Sequence, residues 1–181
     1  MLPSALPTGW PTWTRDNWRT LVRKDPLNLF FTGGCGGLSA AFDELTQVGF
    51  KPAKTGASQW FALDLPFGAP EQHVNDESVD DSGRLLRWER THARLYHSGT
   101  PDPSWGPVTA APIHHDLPKP SKWLWLCGEV ATSFNGPRDA VARRIAALGH
   151  ESTRIRTRER RSVRQCDGSR VAPDGWIVLV A

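Results

Sequence analysis

The chain has 181 residues, a formal charge of +3 and three cysteines. That length supports one domain with its own core, without staples, and so small a positive excess does not by itself call for nucleic acid. Cys35, Cys127 and Cys166 are odd in number and far apart, with no C-x-x-C pair; this excludes a disulfide framework or a zinc knuckle and fits a reducing, cytoplasmic setting. No run reaches the ~20 apolar residues of a membrane span. The start, MLPSALPTGWPTW, lacks the basic and apolar regions of a secretory signal, so the chain reads as soluble.

Residues 1–24 read as a Pro/Trp-rich arm, with Thr14 capping a short helix that carries Trp18, Leu21 and Val22. Asp25-Pro26 ends that helix, because the residue before proline avoids the helical region. Leu27 to Phe31 has the length and flanks of a buried strand. Four glycines around Cys35 then allow a sharp turn. Leu38, Ala41, Phe42, Leu45 and Val48 follow at helical spacing, closed by Gly49. Pro52 pushes any strand after Phe50 to a sheet edge.

Residues 65–83 carry Pro, Gly, Ser and a cluster of carboxylates, and read as a long solvated loop inserted in the domain. Arg84 to His97 alternates as a strand does, with Trp88, His92 and Tyr96 on one face and Leu85, Ala93 and Leu95 on the other. A short strand over VTAAPI leads into His114-His115-Asp116, and Trp123 to Val130 is a second apolar strand. The second helix begins at Asn135 or Gly136, has Pro137 in its first turn and stops at Gly149. Ser152 to Val163 alternates again; Asp167-Gly168 signals a hairpin and Pro173-Asp174-Gly175 a turn. WIVLVA closes the chain as a central strand. The expected architecture over 25–181 is one α+β domain: a mixed or antiparallel sheet with two main helices packed on one face.

Three stretches together resemble the LssY C-terminal-like domain: DPLNLFFTG at Asp25 to Gly33, RTHARLY at Arg90 to Tyr96, and FNGPRD at Phe134 to Asp139. The resemblance spans roughly Asp25 to His150. Such domains are often appended to membrane-embedded phosphatase-like proteins. It implies a fold and a site, and no reaction.

His92, His97, His114, His115 and Asp116 form the densest set of metal-ligand types. Imidazole and carboxylate suit zinc or another divalent first-row ion, which needs three or four convergent groups. Adjacent His114 and His115 point opposite ways on a strand, so one of them at most joins His92; the set chosen is His92, His115 and Asp116. The glycine loop lacks both the P-loop lysine and the third glycine of G-x-G-x-x-G, so no cofactor is expected. Cys35 near a helix start suits a nucleophile only if a distant histidine serves it, and Ala41 stands where a C-x5-R phosphatase has arginine. A small buried residue is the preferred reading of it, and no catalytic residue is assigned.

Arg154, Arg156, Arg158 and Arg160 share one strand face at a repeat of roughly 6.6 Å. Such a stripe holds phosphates or other anions. The leading expectation is therefore a binding module that engages an anionic partner: nucleic acid, a phospholipid headgroup or an acidic protein. The alternatives are a metal-assisted phosphoester hydrolase at the His/Asp cluster, and a structural component that meets a protein partner through its arm.

Overall fold

The computed structural model describes residues 2, 4–6, 10, 12–15, 23–52, 71–75, 90–118, 129–157, 162–164 and 169–181. In chain order these form β1 (Trp13–Arg15), β2 (Arg23–Pro26), β3 (Leu29–Thr32), α1 (Leu38–Gln47), β4 (Phe50–Pro52), β5 (Glu71–Asn75), β6 (Arg90–His97), β7 (Val108–Ala111), β8 (Ile113–Pro118), β9 (Glu129–Ser133), α2 (Asn135–Ala147), β10 (Ser152–Arg156), β11 (Val163–Arg164), β12 (Arg170–Val171) and β13 (Trp176–Val180). The main sheet runs β10-β13-β3-β7-β6-β5-β4, with β8 added beside β6 and β9 beside β8. It is mixed: β13 lies parallel to β3, and its other neighbour β10 is antiparallel. The fold is α+β.

The two apolar strands sit where their composition demands. β3 and β13 are buried on both faces: Leu29, Phe31, Val178 and Val180 face the helices, while Phe30, Ile177 and Leu179 face the other way. Ala41, Leu45 and Val48 of the first helical stretch join Val141, Ala142 and Ile145 of α2 in the same core, so both helices cover one face. Gly49 and Gly149 adopt positive φ, 92° and 100°, where the two helices stop. On the far face Leu2, Leu6 and Trp10 of the arm pack against Phe30, Tyr96 and Trp105. The Trp10 ring lies 5.2 Å from that of Trp105, so this tryptophan is spent on packing.

The sheet forks at Pro112. β7 and β8 pair with β6 in one continuous antiparallel register, Tyr96 opposite Ala110 and Ala93 opposite Ile113. On their other edge they part: β7 takes β3 and β8 takes β9. The Asn28 side chain fills the fork. It accepts from the Ile113 N–H at 2.8 Å and donates to the carbonyls of Ile113 at 2.8 Å and Phe134 at 3.2 Å. Buried backbone groups left without a strand partner are thereby satisfied.

Several expectations shift. Glu71–Asn75, inside the expected loop, is β5, held between β4 and β6. Its polar sequence does not announce a strand; two neighbours with open edges make it one. Thr14 lies in β1, paired with β2, rather than at a helix start, and residues 16–22 lie outside the described residues. The strand before α2 is Glu129–Ser133; positions 119–128, which hold most of the expected apolar run, also lie outside them. The basic stretch yields β10 and then β11, which pairs with β12 across the expected Asp167-Gly168 turn. Pro52 does sit on the terminal strand. Among the described residues no helix is long and apolar enough to cross a membrane.

Candidate metal centre

β6 and β8 lie side by side with His92 directly opposite His114. Cross-strand partners project from the same face, and Asp116, two residues beyond His114, projects with them. All three are buried, at 1, 4 and 3% exposure. The two Nε2 atoms stand 2.5 Å apart. The Asp116 carboxylate reaches both, Oδ2 at 3.1 Å from His92 and Oδ1 at 3.3 Å from His114. Atoms bound tetrahedrally to one zinc ion at about 2.0–2.1 Å stand roughly 3.3 Å from each other. The carboxylate distances match that spacing, and the imidazoles lie closer.

The two rings are hydrogen-bonded through these nitrogens, one donating and the other accepting. Burial pushes the His114 imidazole down, but the charges of Asp116 and Asp25 and the Asp116 hydrogen bond outweigh it, and the pKa is raised. The Phe134 ring meets His114 edge-on with centroids 5.6 Å apart. Nδ1 of His114 has no hydrogen-bond partner among the described residues. Arg94, next along the same face of β6, pairs with Asp25 at 3.6 Å. The cluster is thus polar and buried, with the charges of Asp116, Asp25 and Arg94 around the two imidazoles.

The histidine beside His92 is therefore His114 and not the expected His115. His115 lies opposite Thr91 and contacts its hydroxyl through Nδ1 at 3.1 Å, on the other face of the strand. His97 is also turned away, against Thr109 at 3.0 Å. Of the arginine stripe, Arg154 is bound to Asp139 at 3.0 Å, and Arg156 places its guanidinium 5.8 Å from the Trp176 ring centre. Both are exposed on β10, while Arg158 and Arg160 lie outside the described residues.

Arg138, which the sequence does not single out, is fully buried at the start of α2. It grips Asp174 with two bonds, at 2.8 and 2.9 Å, and donates to Asp139 at 2.8 Å and to the Trp176 carbonyl at 2.6 Å. The Arg138 hydrogen bonds hold the Asp174 carboxyl below its ordinary pKa, against the opposing effect of burial. This knot pins the turn before β13 to α2. It is a structural anchor rather than a site.

Comparison with protein-family models, with curated proteins and with solved structures finds no match.

Proposed function

We propose that this protein is a metal-binding α+β domain that holds one divalent first-row ion between β6 and β8. The supporting observation is the convergence of the His92 and His114 Nε2 atoms on the two oxygens of Asp116. Two neutral imidazoles and one carboxylate are a donor set for zinc or ferrous iron. An ion there joins two strands that otherwise meet only through the sheet, and it neutralises a buried carboxylate. Three ligands leave a coordination position for water, as metal-assisted phosphoester hydrolysis would need. Ligands only 1–4% exposed favour ion binding over turnover.

Membership of the LssY C-terminal-like family belongs to the same proposal. The three stretches that carry that resemblance supply Asp25 and Asn28, His92, and Phe134, all of which border this centre. A reducing, cytoplasmic setting, where Cys35 stays a thiol, is consistent with it. An anion-binding role for the basic strand has less support, because Arg154 is already paired and Arg156 lies by Trp176.

Elemental analysis of purified protein, followed by titration of metal-free protein with Zn²⁺ and Co²⁺, tests the reading. One ion per chain is expected, with visible Co²⁺ bands of a nitrogen/oxygen site. His114→Ala and Asp116→Ala should abolish binding, and His115→Ala should retain it. Stoichiometric binding that survives His114→Ala would overturn the assignment, as would no binding at all.

A further inference from the structure

A second cluster joins residues 115 positions apart in the chain. Cys35 ends the short 3-10 turn Gly33–Cys35 that precedes α1. Its sulfur lies 3.3 Å from Nδ1 of His150, the residue after the glycine that stops α2. Nε2 of the same ring lies 2.9 Å from the Glu44 carboxylate on α1. Thiol, imidazole and carboxylate form a compact group, with Nδ1 toward the sulfur and Nε2 toward the carboxylate.

We propose that Cys35, His150 and Glu44 form a nucleophilic thiol site that takes an acyl group from an ester or thioester. The Glu44 charge 2.9 Å from Nε2 favours a proton on that nitrogen and leaves Nδ1 as the acceptor for the thiol proton. Burial, and then the Glu44 charge, raise the Cys35 pKa, so the resting group is a thiol and its attack needs the base beside it. The Cys35 Sγ forms a bond to the acyl carbon while its proton passes to His150 Nδ1. The acyl–oxygen or acyl–sulfur bond breaks, and the proton leaves with the alcohol or thiol. Water then attacks the enzyme thioester, giving one proton to His150 and, as the C–S bond breaks, restoring the Cys35 thiol and releasing the acid.

The surroundings suit this chemistry. Cys35 is buried, as its sequence context predicts, but a Cβ added at Gly34 or Gly37, either side of it, would meet no described atom within 4 Å, which leaves room along the loop backbone. The N-terminus of α1 starts three residues after Cys35, and no side chain caps it. Its first N–H groups have no intrahelical acceptor, and such donors stabilise a developing oxyanion. The His150 side chain is 27% exposed, which gives water a path to the base.

The test is a burst assay on the full chain with p-nitrophenyl acetate, with peptide mapping to separate Cys35 from Cys127 and Cys166. Expected is one equivalent of nitrophenolate per chain and an acetyl group on Cys35. His150→Ala should slow acylation at least about 100-fold, the low end for general-base catalysis. Glu44→Gln, a positioning change, should alter the pH profile of acylation and leave Cys35 the labelled residue. Circular dichroism and zinc stoichiometry report whether each variant folds, and His150→Gln serves if His150→Ala does not. Acetylation of Cys35 at equal rates in wild type and a folded His150 variant would overturn the proposal. So would labelling confined to Cys127 or Cys166.

Discussion

The two side-chain clusters of this molecule use the same residue types to opposite effect. At His92, His114 and Asp116 two imidazoles aim the same nitrogen at one carboxylate inside the sheet, closed to water. At Cys35, His150 and Glu44 one imidazole meets a sulfur with one nitrogen and a carboxylate with the other. Two imidazoles sharing one carboxylate suit an ion, while one imidazole with a different partner on each nitrogen suits a proton in transit. The first is set by strand register, which places cross-strand side chains with no help from loops. The second is set by two helix ends and a glycine turn, elements that meet only in the finished core.

The comparison can be broken most severely at Gly36. A Cβ there would lie 1.8 Å from the Pro107 carbonyl oxygen, so Gly36→Ala must displace the Cys35 turn. A loss of about 4 kcal/mol or more is expected in urea unfolding, with Cys35 acylation gone. Any folded fraction should still bind one zinc ion. Next is Arg138→Met, which leaves Asp174 and Asp139 without their buried partner. It should cost about 3 kcal/mol, discounted because both carboxylates are partly exposed, and touch neither cluster's readout.

Zinc itself gives the third effect. At about a hundred times Kd it should stabilise metal-free wild type by about 2.7 kcal/mol, or roughly 5–10 °C in thermal unfolding. His114→Ala should show no such shift, and Cys35→Ser the full one. The fourth is an acid effect. Asp174 has a folded pKa below its unfolded value of about 3.9, so its contribution is present above that pH and is lost as pH falls through the folded value. Unfolding measured from pH 5 to pH 2 should therefore steepen in wild type relative to Asp174→Asn. The smallest effect is Arg154→Ala: an exposed pair, worth about 0.5 kcal/mol or less, with no change at either cluster.

Periodicity made most of the fold legible. The apolar runs at Leu27–Phe31 and Trp176–Val180 and the glycine stops of both helices stand where their patterns place them. β5 was not legible, because Glu71–Asn75 is a strand by virtue of its neighbours. The buried His/Asp cluster was readable to within one residue. Positions two apart share a strand face, so His114 belongs with Asp116 and His115 does not. The thiol cluster was legible only as a cysteine near a helix start that would need a distant histidine; nothing local marks that histidine as His150. Arg138 was hidden for a similar reason, its partner Asp174 lying in a turn near the chain's end.

Two of the sheet's terminal strands, β10 and β4, carry a further lesson. β10 presents Arg154 and Arg156 to solvent, and β4 at the far end offers Lys51 and then Pro52, which has no N–H to share. An unprotected rim invites another chain to add a strand. On one border the deterrent is mutual repulsion between like cations, and on the other a missing donor. Two copies of this protein that met β10 to β10 would bring Arg154 and Arg156 of each against the other.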